Sequence, residues 1–516
     1  MINTDRFQDD IEAILKDHQI TTEFPAEQKE SLVDMITSTI HQYDDSLSKE
    51  WLELIVEYFL ESKFNKYYVR IPNDVNKSAT LSRVATTTDI SIVKDTNATD
   101  KINLRSDSDL ISHVHDYASD KFTDKIHVMR KKRVAEIKKI PQHEQKTPPW
   151  YAQRNECLTA TAIAIALDED PYKYPAELLL EKCGKGEPFI ENEYVHHGKK
   201  HEHNGTLFYS FRNNITVSEY GLIQHSKYSF IGASPDGICD QSCYNGTGIS
   251  KLVGRLLEIK FPKTRKIQTE GDLDGDICPH QYYVQVQTQL FVTELDECDF
   301  LQGDMEEYES WNDFVADTHP SIPGLSKKTN LEKGCLIQLL PKKMIGRSDD
   351  LMCLYNSKYI YQPKLHMTSE EIEKWIATEV IKFPSNALAK ENMIDKIIYW
   401  RFARVTCHTI KKDANFFKTI LPTLRQFWNY VLFYRKHPTE LNKLVKYIKE
   451  VGVSNTVDIF ARVHIDFSKF KPDTKTQPMY QDENPWREKF NKKKEQYKKF
   501  AEFQKKKFTN RTNTVS

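Results

Sequence analysis

Ser234-Pro235-Asp236-Gly237, followed by Leu256-Leu257-Glu258-Ile259-Lys260, is the pair of segments on which the reading of this chain turns. Strand-like apolar runs at 228–233 and 252–261 carry them, so Asp236 stands at the end of one strand and Glu258 and Lys260 on the next. Alternate side chains of a strand share a face, so Glu258 and Lys260 point the same way. With Asp236 beside them, two carboxylates converge on one point next to an ammonium. Like charges that close repel unless something positive neutralises them. A hard divalent cation, Mg²⁺ or Mn²⁺, suits carboxylate oxygens. The lysine would then orient a water for attack or stabilise charge developing on a phosphate. Glu-x-Lys alone is equally a surface ion pair; Ser-Pro-Asp-Gly at hairpin distance gives it weight.

Two flanking elements fit the same chemistry. Upstream, Gly198-Lys199-Lys200-His201-Glu202 offers a third carboxylate. Downstream, a helical run over 280–293 puts Gln285 and Gln289 on one face with Tyr282. Amides beside a charged site are hydrogen-bond partners for phosphate or water. A competing metal reading comes from His196, His197, His201 and His203, since His197 and His201 have zinc-ligand spacing. The chain lacks HExxH, and Glu202 already has a use, so no zinc is expected.

The wider chain of 516 residues is too long for one compact core. Its 73 Lys+Arg nearly cancel its 74 Asp+Glu, so only local charge can indicate partners. No apolar run is long enough to span a bilayer and the amino terminus is polar, so a non-secreted, intracellular protein without membrane contact is expected. The nine Cys have irregular spacing and no CxxC, and read as reduced thiols. Three regions are expected. Residues 1–140 are helical, as at Trp51, Leu52, Ile55, Phe59 and Leu60, with a polar linker from 73 to 109. Residues 145–440 mix short helices at 159–167 and 176–183 with strands near 298–302, 335–340, 359–361 and 400–411 and helices at 369–378 and 415–434, which suggests a sheet flanked by helices. Residues 441–516 form a basic tail, in which Trp486, Phe490, Tyr497, Phe500 and Phe508 line one face of a lysine-rich helix. That helix either packs on the body of the protein or serves as a phosphate-binding arm.

Together these elements resemble the lambda-type exonuclease, or YqaJ-like viral recombinase, family of the PD-(D/E)xK nucleases. The order is Tyr151-Ala152-Gln153-Arg154, Thr159-Ala160-Thr161, Gly198 with Glu202, Ser234 to Gly237, Glu258 with Lys260, and Gln285 with Gln287; Thr161 stands where the family commonly has Ser. The likeness covers residues 145–305, and segments at 399–413 and 427–428 are similar to the long giant-virus (mimivirus-type) members. It implies an α/β, restriction-endonuclease-like core, a central mixed sheet flanked by helices, with a helical N-terminal extension and a basic C-terminal helical tail. It implies metal ligation by Glu202, Asp236, Glu258 and the backbone carbonyl of Ile259. Lys260 would assist the attacking water, with Gln285 in the catalytic set. Arg154, Thr161, Ser234 and Gln285 would hold the phosphate at a DNA end.

The activity so implied is Mg²⁺- or Mn²⁺-dependent hydrolysis of duplex DNA from a 5′ end, in viral recombination, processing or defence. Endonuclease or flap-type cleavage at the same site, or a catalytically weak DNA-binding recombination partner, are the alternatives. DNA is the expected partner, with a second copy of the chain and recombination or helicase proteins as further ones, in host cytoplasm or a viral factory. The long loop at 238–251 and its cysteines depart from the pattern. The clustered C-terminal cysteines that hold an iron–sulfur cluster in CRISPR-associated nucleases are missing, so no iron–sulfur cluster is expected.

Overall fold

The computed structural model describes residues 11, 13–16, 29–41, 56, 114–115, 125–187, 191–246, 248–344, 351–462, 479–480 and 484–513. The helical expectation at Trp51, Leu52, Ile55, Phe59 and Leu60, and the polar linker, lie outside these residues. Two compact units divide the chain: one of 1–101, 191–196 and 305–404, the other of 102–190, 197–304 and 405–516. No helix among the described residues is long and apolar enough to cross a membrane.

Every expected site residue falls in the second unit. Its elements, in chain order, begin with α1 (Pro148–Asn155), β1 (Leu158–Thr159), α2 (Ala160–Ala166), α3 (Pro175–Lys182) and α4 (Glu193–Arg212). There follow β2 (Val217–Ser218), β3 (Ile223–Gln224), β4 (Ile231–Ala233), β5 (Gly237–Cys239), β6 (Leu256–Lys260), α5 (His280–Thr293) and β7 (Glu297–Glu307). The strand β8 (Asn392–Lys411), α6 (Phe416–Lys436) and α7 (Pro485–Asn513) complete the set used below. Strands β7, β6, β5 and β2 are neighbours in that order; β6 and β7 run parallel, the other pairs antiparallel, so the sheet is mixed. A second small sheet orders β1, β4 and β3, with β1 parallel to β4.

Local sequence explains these elements. The first four residues of β6 are buried, as in a strand covered on both faces. The expected strand at 252–261 begins only at Leu256, because Gly254 takes a left-handed φ of 77° in a turn. Helix α5 matches its expected bounds and stops where Glu294 adopts a φ of 58°. Val284, Val286, Leu290 and Val292 of that helix join Ile163, Ile231 and Phe300 in the core. All nine cysteines are free.

In the first unit, Lys333–Pro341 pairs antiparallel with Lys358–Tyr361 on one side and with the start of β8 on the other. Helix Ser369–Lys382 contributes Ile372, Ile376 and Val380 to a core with Cys335 and Ile337. Its capping box uses Thr368: the Thr368 hydroxyl accepts from Glu371 N–H at 3.2 Å, and the Glu371 carboxylate accepts from Thr368 N–H at 2.9 Å.

Of the two readings of the basic tail, packing on the body describes one face of α7. Arg487 and Lys494 both reach the fully buried Asp168, Lys494 Nζ at 2.7 Å. Trp486 stacks on His280 with ring centroids 3.6 Å apart.

Candidate active site

Asp236 and Glu258 come together because β5 and β6 are antiparallel neighbours, with Gly237 opposite Leu257. A Cβ on Gly237 would collide with Val217 of β2, so glycine after Asp236 is what lets this edge close. Ile259 N–H donates to Asp236 Oδ2 at 2.7 Å and fixes the carboxylate. Glu258 is fully buried and gripped from three sides. Lys260 pairs with its Oε1, Gln285 Nε2 donates to Oε1 at 2.6 Å, and Gln289 Nε2 donates to Oε2 at 2.6 Å. The shared face of Gln285 and Gln289 therefore serves the Glu258 carboxylate itself. Tyr282, one turn earlier, lies under the Lys260 ammonium, 5.0 Å from ring centroid to Nζ.

Glu202 arrives on α4. That helix sits close to β6 because Gly205 faces it; a Cβ there would stand 2.8 Å from the Phe261 ring and 2.9 Å from Ile259 Cγ2. The Glu202 carboxylate acts electrostatically on Asp236 and has no hydrogen-bond partner among the described residues. The charge balance is negative. Burial, then Glu258, then Glu202 push the Asp236 carboxyl well above the usual range, against the opposing pull of Lys260 and the Ile259 N–H. Burial alone would lower Lys260, but Glu258 and Asp236 more than offset it and hold the ammonium charged.

These residues fit a divalent cation. The donors are carboxylate oxygens, and the cluster carries more negative charge than one lysine neutralises. Among the described residues no three His, Cys, Asp or Glu side chains are grouped to hold a metal by themselves. A Mg²⁺-type ion needs less, since it takes one or two carboxylates and keeps waters or substrate phosphate as its other ligands. Asp236 and Glu258 would hold it, and Glu202, which acts electrostatically on Asp236, and the Ile259 carbonyl are the further donors that the family resemblance implies.

The YqaJ-like viral recombinase domain matches residues 149–296, the segment that contains the whole cluster. A mimivirus protein (Uncharacterized protein R354 of Acanthamoeba polyphaga mimivirus) is 49% identical over 504 residues, 91% of this chain and 92% of that one. The chain belongs to the YqaJ-like viral recombinase family, among its giant-virus members. A second mimivirus protein, Uncharacterized protein R822, is 28% identical over 141 residues, 25% of this chain and 24% of that one. An alkaline exonuclease from Laribacter hongkongensis is similar at 18% identity and a TM-score of 0.30, over 58% of this chain and all of that one. Its complex with dAMP gives 17% and 0.31 over the same shares.

The residues for which the family resemblance implied a phosphate pocket are less closely knit. Strands β1 and β4 run side by side, Thr159 opposite Gly232, so Thr161 and Ser234 sit just beyond the ends of neighbouring parallel strands. Thr161 is exposed, with its hydroxyl 3.2 Å from that of Thr159. Ser234 Oγ is buried without a hydrogen-bond partner among the described residues. Arg154 stacks on Trp150 at 4.5 Å, and no carboxylate hydrogen-bonds it among the described residues. Burial lowers its pKa, with Cys157 and Glu181 opposing. No hydrogen bond joins Arg154 to Thr161, Ser234 or Gln285. Of the family's paired glutamines, Gln287 faces away, donating to Lys411 O at 2.9 Å and accepting from Asp413 N–H at 2.9 Å.

The imidazole cluster takes ordinary places on α4. His197 and His201 meet edge to face at 4.8 Å, and His201 packs against Phe261. The sequence puts Gln289 on the same face of α5 as Gln285 but does not show its grip on Glu258, and it gives no signal of the Glu169–His280–Asp274 bridge at the start of that helix.

Proposed function

We propose that this chain is a Mg²⁺- or Mn²⁺-dependent deoxyribonuclease that digests duplex DNA from a 5′ end. The coarse part, phosphodiester hydrolysis on DNA, has the support of the family together with the carboxylate–lysine cluster. The observation that carries it is Glu258 held by Lys260, Gln285 and Gln289 beside an Asp236 that burial, then Glu258 and Glu202, make reluctant to ionise. A site built only for stability would pair these acids with cations. This one leaves negative charge over.

A bound divalent ion supplies positive charge at the scissile phosphate. The chain's own groups do the remaining work. Gln285 and Gln289 fix the Glu258 carboxylate so that it need not reorganise, and the Ile259 N–H does so for Asp236. Lys260 Nζ, charged and steadied over Tyr282, is placed to hold the attacking water or the developing oxyanion. Arg154, a guanidinium without a carboxylate partner among the described residues, and the unsatisfied Ser234 hydroxyl are suited to a terminal phosphate, with the exposed Thr161 hydroxyl as a further donor.

End-labelled linear and closed circular duplexes, each with and without Mg²⁺, test the reading. Loss of label from linear DNA only, and only with metal, is expected; circle cleavage at a similar rate would mean endonuclease action. A 5′-phosphate should be preferred over a 5′-hydroxyl by about one to two orders of magnitude, the scale of a charge-assisted contact worth roughly 1.5–3 kcal/mol. Arg154→Ala should erase that preference. Equal rates on both ends for the unmodified chain would remove the terminal-phosphate role.

A further inference from the structure

The basic tail helix has one docked face and one free one. At about 100° per residue, Arg487 and Lys494 point together into the unit, while Lys489, Lys492, Lys493 and Lys499 fall within an arc of about 120° on the opposite side. All four of these lysines are exposed. Glu488, Glu495 and Glu502 keep to an adjoining flank rather than alternating with them. Although Glu488 and Glu495 stand four residues before Lys492 and Lys499, no ion pair forms, and none of the four lysines has a carboxylate partner among the described residues. A solvated helix selected only for solubility would intersperse its charges.

The stripe is held rigidly, and it is close to the site. Trp486 is stacked on His280, Tyr174 OH donates to Glu495 at 3.1 Å, and Tyr497 meets Tyr172 at 5.3 Å between centroids. Lys493 Nζ lies 4.9 Å over the same Tyr172 ring. Tyr172 acts electrostatically on Tyr282, whose ring lies under Lys260, and the Trp486 stack falls on His280, at the start of the helix that carries Tyr282. From Lys489 to Lys499 the helix advances about 15 Å at 1.5 Å per residue, the rise of about four to five base pairs.

We propose that the exposed lysine face of α7 is a DNA-backbone track, binding the phosphates of the duplex that leads into the active site. This rests on the nuclease reading above. Such binding is independent of base sequence and acts by counterion release, so its signature is salt dependence. It also places the tail's two faces in different service: Asp168 and His280 hold the helix, and the lysines hold the substrate.

The test is fluorescence anisotropy of a labelled blunt duplex with the full chain in EDTA, titrated over KCl, for the unmodified protein and the fourfold variant Lys489→Gln, Lys492→Gln, Lys493→Gln, Lys499→Gln. The variant should bind at least about tenfold more weakly at low salt, and the slope of log K on log [salt] should flatten by about 2–4, near 0.9 for each phosphate no longer neutralised. The fourfold Lys→Arg variant should keep the original slope, which separates removal of charge from a disturbed fold. An unchanged affinity and slope in the glutamine variant overturns the proposal. Because binding is read without metal, the two readings fail separately. A flattened slope with no Mn²⁺-dependent cleavage by either protein would leave the track and remove the nuclease; unchanged binding with normal cleavage would do the reverse.

Discussion

Two buried acid clusters in the same unit use the same residue types with opposite balance. At Asp168 one carboxylate meets two cations, Arg487 and Lys494, and all three side chains are largely or wholly buried. At Asp236 and Glu258 two carboxylates, with Glu202 acting on the first, share one lysine. The first cluster is complete within the chain and fastens α7 to the core. The second is short of positive charge, and its carboxyl groups are held in place by amides and a backbone N–H. What distinguishes the fastening from the candidate active site is the charge left over.

The comparison breaks most visibly by mutation of the second cluster. Asp236→Ala or Glu258→Ala should lower cleavage by about three orders of magnitude or more, the scale for removing one member of a catalytic set. For Asp236→Ala the melting temperature should hold or rise, since burial and the neighbouring carboxylates oppose its charge; Glu258→Ala should lower it, because Lys260, Gln285 and Gln289 lose their shared partner. Near-normal turnover at saturating Mg²⁺ would put the chemistry elsewhere. At the first cluster, Asp168→Ala leaves Lys494 and Arg487 facing each other without their acid, a loss of about 3–5 kcal/mol for breaking a buried pair. It should appear as a lower Tm and as early proteolysis within 485–513, with cleavage of short substrates retained.

Lys260→Ala sharpens the contrast further. It should cut turnover by about 10²–10³-fold, as loss of one preorganised charge stabiliser does. Mn²⁺ binding by calorimetry should survive, because the lysine competes with the ion rather than holding it; absent binding in a folded variant would mean that Lys260 organises the acids themselves.

The smallest expected effect is a pH dependence of the fastening. Burial lowers His280, but hydrogen bonds to Asp274 and Glu169 more than offset this and raise its pKa above the ordinary value of about 6.5. A raised folded-state pKa contributes stability that is full below the unfolded value and is lost as pH rises through the folded one. The Tm advantage of the unmodified chain over His280→Gln should therefore be largest at mildly acid pH and shrink toward alkaline pH. A constant difference across that range would assign the effect to the Trp486 stack alone.

Much of the candidate site is legible in local pattern. Strand alternation puts Glu258 and Lys260 on one face, and helical spacing puts Tyr282, Gln285 and Gln289 on another; both are relations among residues a few positions apart. The bounds of α5 are likewise legible because the apolar, amide-rich run keeps helical spacing from 280 to 293, whereas the left-handed turn at Glu294 appears only in the structure. What cannot be read depends on distant pairs. Asp168 is one loop acid among many until α7 brings Arg487 and Lys494 to it across more than three hundred positions. Amphipathicity shows that the tail has two faces, but only the docked structure says which one is spent. Gln289 is one amide among several on its helix, and its role appears only when Glu258 lies opposite. The same holds for Arg154, whose use turns on the absence of a carboxylate partner.

Thermal melting in EDTA and in Mn²⁺, for the unmodified chain and Asp236→Asn, tests the central claim most directly. If the cluster lacks a positive charge, Asp236→Asn should melt higher than the unmodified chain in EDTA. Mn²⁺ should then stabilise the unmodified chain in proportion to the logarithm of its concentration, by about 2.7 kcal/mol at a hundredfold excess over Kd, and the variant by much less. An equal Mn²⁺ shift in both proteins, or none in either, would contradict the account.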